Sequence, residues 1–199
     1  MHMTEKSESE VQIKLCDNAS ILAKIVSILL TLALGIHVVA VATSYWVMAY
    51  TGNDTLWHEG IWQSCYKNLY KTWVCAAYEV IHHGSKMPGW FHVTQTFSVF
   101  GILALIPTIL ISVLYTLLPK LSGRKFAAIL TIILSLCAGS FITIAIIVFG
   151  AKYPQLTPNG IPNYRQHFHF GFGFEVISAV MCYVCSGLLF MELRNNIIL

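Results

Sequence analysis

Residues 46–75 read WVMAYTGNDTLWHEGIWQSCYKNLYKTWVC, and the reading of this stretch decides the fold. It is a polar, aromatic island with two cysteines, Cys65 and Cys75. Residues 61–66 and 72–78 are rich in aromatic and β-branched side chains, which suit strands. Between them runs the polar turn Lys67-Asn68-Leu69-Tyr70-Lys71. A hairpin bridged by Cys65 and Cys75 is the simplest reading, and it requires an oxidising compartment. Closing so short a loop contributes roughly 2–3 kcal/mol. Asn53-Asp54-Thr55 is a glycosylation sequon that follows Gly52, so it is expected on an exposed turn.

Outward from this island the chain is apolar. Of 199 residues, 56% are hydrophobic and 11% charged, with a mean hydropathy of +0.68. A soluble domain carries about 25% charged residues, so a membrane protein is indicated. The net charge of +3 does not argue for a nucleic-acid partner. A spanning helix needs about 20 apolar residues. Four stretches meet that need: 21–43, 97–118, 126–149 and 168–191. Segment 1–20 is polar and charged, the tail 192–199 is very short, 44–95 and 150–167 are interludes, and 119–125 is a tight connector. The first apolar run is too long for a cleaved signal peptide, and no small-x-small site follows it. Pro107 lies inside the second span and is expected to kink it.

Basic residues set the orientation. The connector carries Lys120, Arg124 and Lys125 without an acid, and Lys6, Lys14, Lys24 and Arg194 lie on the same side. The interludes spread their lysines over longer loops, balanced in the first by Asp54, Glu59 and Glu79. The positive-inside rule then places both termini in the cytosol and 44–95 outside. The cysteine pair and the Asn53 sequon agree, and the sequon at Asn18 falls on the cytosolic side.

Trp46, Gly60-Ile61-Trp62, Cys65 and Cys75, embedded in four spans, resemble the Trp…Gly-Leu-Trp…Cys…Cys signature of the claudin superfamily. That superfamily also holds the peripheral myelin and epithelial membrane proteins and lens fibre membrane intrinsic protein. The resemblance runs from Ile21 to Arg194. Tyr45-Trp46-Val47, Leu56-Trp57, Trp62-Gln63-Ser64-Cys65 and Gly123-Arg124-Lys125-Phe126 are most similar to the peripheral myelin–epithelial membrane protein branch. Claudins usually carry an Arg entering the second span and end in Tyr-Val. This chain has Thr94-Gln95-Thr96 and Ile197-Ile198-Leu199. In the similar branch the glycan normally lies just before the first loop cysteine, and here the sequon is at Asn53. The resemblance implies a left-handed four-helix transmembrane bundle with a small extracellular antiparallel sheet from the first loop. It also implies that Trp46 and Trp62 sit where sheet meets bundle, which suits indole.

The remaining chemistry-bearing residues weigh differently. Cys182-Tyr183-Val184-Cys185, taken with two loop cysteines, also resembles vitamin K epoxide reductase-like oxidoreductases. There, however, the helix pair lies near the loop, whereas Cys182 is roughly 21 Å along the helix from Phe168. Cys182 and Cys185 read first as packing residues and second as acylation candidates, and Cys16 is a better-placed acylation candidate. Cys137 reads as packing. His82-His83 and His167-x-His169 lack the partners of a structural zinc site, so no metal and no cofactor is expected. Glu175 reads as an interfacial acid paired with Arg165 or a histidine, although acids within spans are by default functional candidates. The Ile197-x-Leu199 terminus fits a PDZ groove only as a weak pattern.

No nucleophile–base pair, phosphate loop or paired-carboxylate pattern is present, so an enzyme is not expected. The expected function is a multi-pass plasma-membrane protein at cell contacts. Its glycosylated, disulfide-pinned first loop would touch other membrane proteins in cis or trans, or a second copy. The alternatives are a claudin-type paracellular barrier, an auxiliary subunit of a channel or receptor, and a membrane thiol oxidoreductase.

Overall fold

The computed structural model describes residues 21–52, 54–68, 70–77, 87–117, 124–155 and 165–198. Asn53, Cys16, Asn18, His82, His83, residues 119–123 and Leu199 lie outside these, so the expectations attached to them have no structural counterpart here.

Four helices dominate: α1 (Ile21–Ala42), α2 (Gly89–Leu117), α3 (Arg124–Lys152) and α4 (Phe170–Ile198). Each is long and apolar enough to cross a membrane. Their side chains are sorted in the manner of a protein in lipid. Small and hydroxylated residues face inward, among them Ala23, Ser27 and Ala33 on α1, Ser98 and Ser112 on α2, Ala138 and Ala145 on α3, and Ser178 and Ala179 on α4. Large apolar residues face outward, including Leu32, Leu103, Leu110, Ile133, Ile147 and Phe190. Lipid tails solvate Leu as well as protein does, so close approach of small side chains drives helix association. The helices contact one another in a ring, α1 against α2, α2 against α3, α3 against α4, and α4 against α1. α2 runs unbroken through Pro107.

At one end of this ring lies a five-stranded antiparallel sheet in the order β4-β3-β2-β1-β5. Its strands are β1 (Val47–Thr51), β2 (Asp54–Glu59), β3 (Gln63–Lys67), β4 (Trp73–Ala77) and β5 (Arg165–Phe168). The small antiparallel sheet expected from the first loop is present, and a fifth strand, β5, joins it from the second interlude. It pairs with β1, setting Val47 opposite Phe168 and Met48 opposite His167. The connectivity explains this. β1 leaves the end of α1, β5 leads into α4, and α1 packs on α4, so the two strands start side by side.

A second difference concerns α2, which begins at Gly89 rather than near Phe97. The Phe91 amide bonds the Pro88 carbonyl at 2.9 Å as the helix starts. Its first two turns rise beside the sheet, where Trp90 and Phe91 pack. Two apolar clusters result. One fills the bundle, around Leu30, Leu105, Ile142, Cys182 and Leu189. The other, around Trp46, Val47, Trp57, Ile61, Phe91 and Phe149, seats the sheet on the helix ends. Cys137, expected to pack in mid-span, is exposed on the outer surface of α3, turned away by the helical period.

The candidate recognition head and its polar centres

The register of the sheet sorts its side chains into two faces, since directly opposed residues share a face. Val47 opposes Glu59, Ala49 opposes Trp57, and Glu59 opposes Ser64. This face carries Val47, Ala49 and Trp57 into the apolar seat. The other face carries a row across three strands, His58 opposite Cys65 and Cys65 opposite Cys75.

Trp46 fixes the seat. Its ring is fully buried, its Nε1–H donates to the Ala40 carbonyl at 2.7 Å, and its edge meets Phe149 with centroids 4.8 Å apart. The Trp46 amide donates to the Glu59 carbonyl at 2.9 Å, and the Trp46 carbonyl accepts from the His169 amide at 2.9 Å. Gly60 packs on the backbone at the end of α1, where an added Cβ would overlap the Thr43 carbonyl and reach 2.7 Å from Ser44 Cα. Ile61 is fully buried, and its carbonyl accepts from Gln95 Nε2 of α2 at 2.6 Å. Trp62 departs from expectation. It is 45% exposed, so the seating role falls to Trp46 and Ile61. Consecutive residues at this corner point opposite ways, and the buried side is taken by Ile61.

Cys65 and Cys75 form a disulfide across β3 and β4. Beyond it, Asn68 builds the turn. Its Oδ1 accepts the amides of Tyr70 and Thr72, each at 3.0 Å, and Lys71 adopts φ 60°. Tyr70 stands at this tip, 87% exposed, with Tyr66, Trp73 and Val74 also exposed along the two strands. His58, Cys65 and Cys75 are the one metal-ligating cluster among the described residues, but both sulfurs are spent in the bond between them. His167 and His169 join no such cluster among those residues.

Two acids surprise. Glu59 is buried in the seat, and its Oε1 has no hydrogen-bond partner among the described residues. Burial pushes its carboxyl up to about 8, and the Ser64 hydroxyl opposite pulls it down by less. Ser64 Oγ does not reach bonding geometry, so that pull is weak. Glu175, read from the sequence as interfacial, lies fully buried within the bundle instead. Its Oε2 is 2.8 Å from His37 Nδ1, and its Oε1 accepts from Ser98 Oγ at 3.1 Å. His37 Nε2 donates to the Ser98 carbonyl at 2.9 Å. Gly101 makes room, since a Cβ there would come within 2.8 Å of the His37 ring. The triad thus ties α1, α2 and α4. Glu192, assigned by hydropathy to the tail, is likewise buried and accepts from Tyr115 Oη at 3.3 Å.

Four apolar helices, a sheet at one end of the ring, and a Trp46…Gly60-Ile61-Trp62…Cys65…Cys75 framework closed by a real disulfide are now in place. A scan against protein-family models matches residues 18–190 to the PMP-22/EMP/MP20/Claudin family. The chain belongs to this family. Comparison with curated proteins returns no match. As a member of the PMP-22/EMP/MP20/Claudin family it is a multi-pass membrane protein, and the outward-facing Leu and Ile side chains of its helices are its lipid contact. Cys182 and Cys185 belong to the bundle core of this family member, apart from the loop cysteines. Cys185 Sγ lies 4.0 Å from the Val26 carbonyl, and Ser135 Oγ donates to the Cys182 carbonyl at 2.9 Å. Both thiols are buried between helices.

Proposed function

We propose that the protein is a non-enzymatic plasma-membrane protein that makes contacts with partner membrane proteins, in cis or across apposed membranes, through its first-loop head. One observation supports this reading above the others. Tyr66, Tyr70, Trp73 and Val74 are exposed on a hairpin held by a disulfide, while the opposite end of the same sheet is anchored in the helix ends. Rigid, exposed aromatic side chains favour recognition, since little entropy is lost when they are covered. The amino end of α1 and the carboxyl end of α4 lie at the end of the ring away from the sheet. α2 ends and α3 begins at that same end, and the sequence between them is basic, so the positive-inside rule assigns that end to the cytosol and the sheet to the outside. Trp62-Gln63-Ser64-Cys65 favours the peripheral myelin–epithelial membrane protein branch.

The test is surface proximity labelling and cell aggregation in cells expressing the chain or its Tyr70→Ala/Trp73→Ala variant. Loss of labelled membrane partners and of aggregation, at equal surface level, is the expected result. Freeze-fracture strands would favour a paracellular barrier, and a co-purified channel would favour an auxiliary subunit. Unchanged labelling and aggregation would refute the assignment of contact to this hairpin.

A further inference from the structure

The row His58, Cys65, Cys75 holds more than a structural disulfide requires. A ring nitrogen of His58 and both sulfurs lie within 4.8 Å of one another. His58 Nδ1 lies 3.0 Å from the Ser44 carbonyl, so it carries a hydrogen and donates it. Nε2 is therefore the nitrogen with the free lone pair. Tyr45 stacks on the ring at 4.0 Å between centroids, and Trp73 tilts against it at 4.7 Å. Burial holds the imidazole below its ordinary range, outweighing the Ser44 carbonyl that raises it, and nearby His169 lowers it further. His58 is thus a neutral base at pH 7. Among the described residues, Tyr45 and His169 are the other titratable groups at this ring, and Glu59 projects from the opposite face. The two sulfurs differ in access, since Cys65 is fully buried and Cys75 is exposed.

We propose that Cys65–Cys75 is a thiol-exchange site for small thiols and disulfides of the glutathione class. Cys75 is the sulfur attacked from solvent, Cys65 is the resolving thiol, and His58 is the proton acceptor of Cys65. Exchange runs through a mixed disulfide, and access decides which sulfur is attacked. In opening, an external thiolate bonds to Cys75 Sγ, the Cys65–Cys75 bond breaks, and its electron pair goes to Cys65, which takes up a proton. A second external thiol then attacks the mixed disulfide. The external disulfide leaves and Cys75 becomes a thiol, so two external thiols are oxidised as one protein disulfide is reduced. In closing, an external disulfide first forms the mixed disulfide at Cys75 and releases one thiol. His58 Nε2 then takes the Cys65 proton, the Cys65 thiolate attacks Cys75 Sγ, and the second external thiol leaves with that proton. A buried thiol ionises reluctantly, so an adjacent neutral imidazole matters most near neutral pH.

Two measurements on the full-length protein in detergent test this. In the first, the intact wild-type disulfide is opened with glutathione, quenched by alkylation and mapped by mass spectrometry. Glutathione should be found on Cys75 with Cys65 alkylated, in excess of the reverse pattern by about tenfold or more, as differential access dictates. In the second, Cys16, Cys137, Cys182 and Cys185 are replaced by Ser, the protein is reduced, and closure by glutathione disulfide is followed with and without His58→Gln. The variant should close about tenfold slower at neutral pH and converge with its parent above about pH 9, where the thiol ionises unaided. A merely structural role for His58 would slow closure equally at every pH. Glutathione on Cys65 as often as on Cys75, or an unchanged pH profile in His58→Gln, overturns the proposal. The mapping needs no substitution, so it decides even if a variant misfolds.

Discussion

Glu59 holds a proton at neutral pH that the unfolded chain would release. Its carboxyl is raised from 4.5 to about 8 by burial in the sheet seat. Between those values the folded state binds one more proton than the unfolded state, so stability falls as pH rises, by about 1.4 kcal/mol per unit. Below about 4.5 the full contribution is present, and above about 8 the loss is complete. Glu59→Gln carries no such proton. It should flatten the slope between these limits and raise stability near pH 8 by a few kcal/mol relative to wild type. Thermal unfolding in detergent across this range reads both effects, and a parallel pH dependence in the two proteins would show that Glu59 is not the titrating group. The carbonyl of the same residue accepts the Trp46 amide, so its backbone and side chain both serve the seat.

Among the helices, the His37–Glu175–Ser98 triad holds three elements together. His37 Nε2 faces a carbonyl and must carry a hydrogen, while Nδ1 faces a carboxylate oxygen. A single proton bridges Nδ1 and Oε2, so the pair has no net charge whichever atom holds it. Removing one partner leaves the other unmatched in the bundle, which costs about 3–5 kcal/mol. His37→Leu and Glu175→Leu should each destabilise by that order. The double variant should cost clearly less than their sum, because the unmatched group is gone from it. Unfolding of all three variants in bicelles supplies the cycle, and strict additivity would mean the pair is not coupled. The sequence shows these residues but not their meeting. His37 and Glu175 are 138 positions apart, and their contact depends on how each helix is rotated about its axis. The same rotation sends Cys137 to lipid. Hydropathy also hid the first turns of α2, because a helix above the bilayer may carry His92 and Gln95 and still pack Trp90 and Phe91. By contrast, the hairpin and its disulfide were legible, since turn, strands and cysteines lie within one short stretch. Cys182 and Cys185 are buried in the bundle core because that side of α4 faces inward, which depth along the span does not by itself decide. β5 was not legible, because four residues of mixed character become a strand only beside β1.

At the scale of the molecule, the question is how firmly the sheet is joined to the bundle. The strands at the two sides of the sheet are held differently. β1 and β5 run directly out of α1 and into α4, and the α1–β1 corner is locked by Trp46 against Phe149 of α3 and Phe172 of α4. β3 and β4 lie farther out, joined to each other by the disulfide and to the bundle through β2 and Ile61. The two ends should therefore fail separately. Cys75→Ala removes a constraint on a ten-residue separation, a loss of roughly 2–3 kcal/mol that falls on β3 and β4. Hydrogen exchange should then quicken in 63–77 while amides of β1 and β5 stay protected. Trp46→Ala empties a fully buried indole site at the junction, with a cost of about 3–5 kcal/mol. Exchange should quicken across all five strands, because the corner that orients β1 is lost, while amides in mid-helix stay protected by the bundle's own cluster. If Trp46→Ala loosened only the β1 corner, the sheet would be stable by itself. If it exposed mid-helix amides as well, head and bundle would be one cooperative unit, and a contact at the Tyr70 tip could be felt in the spans.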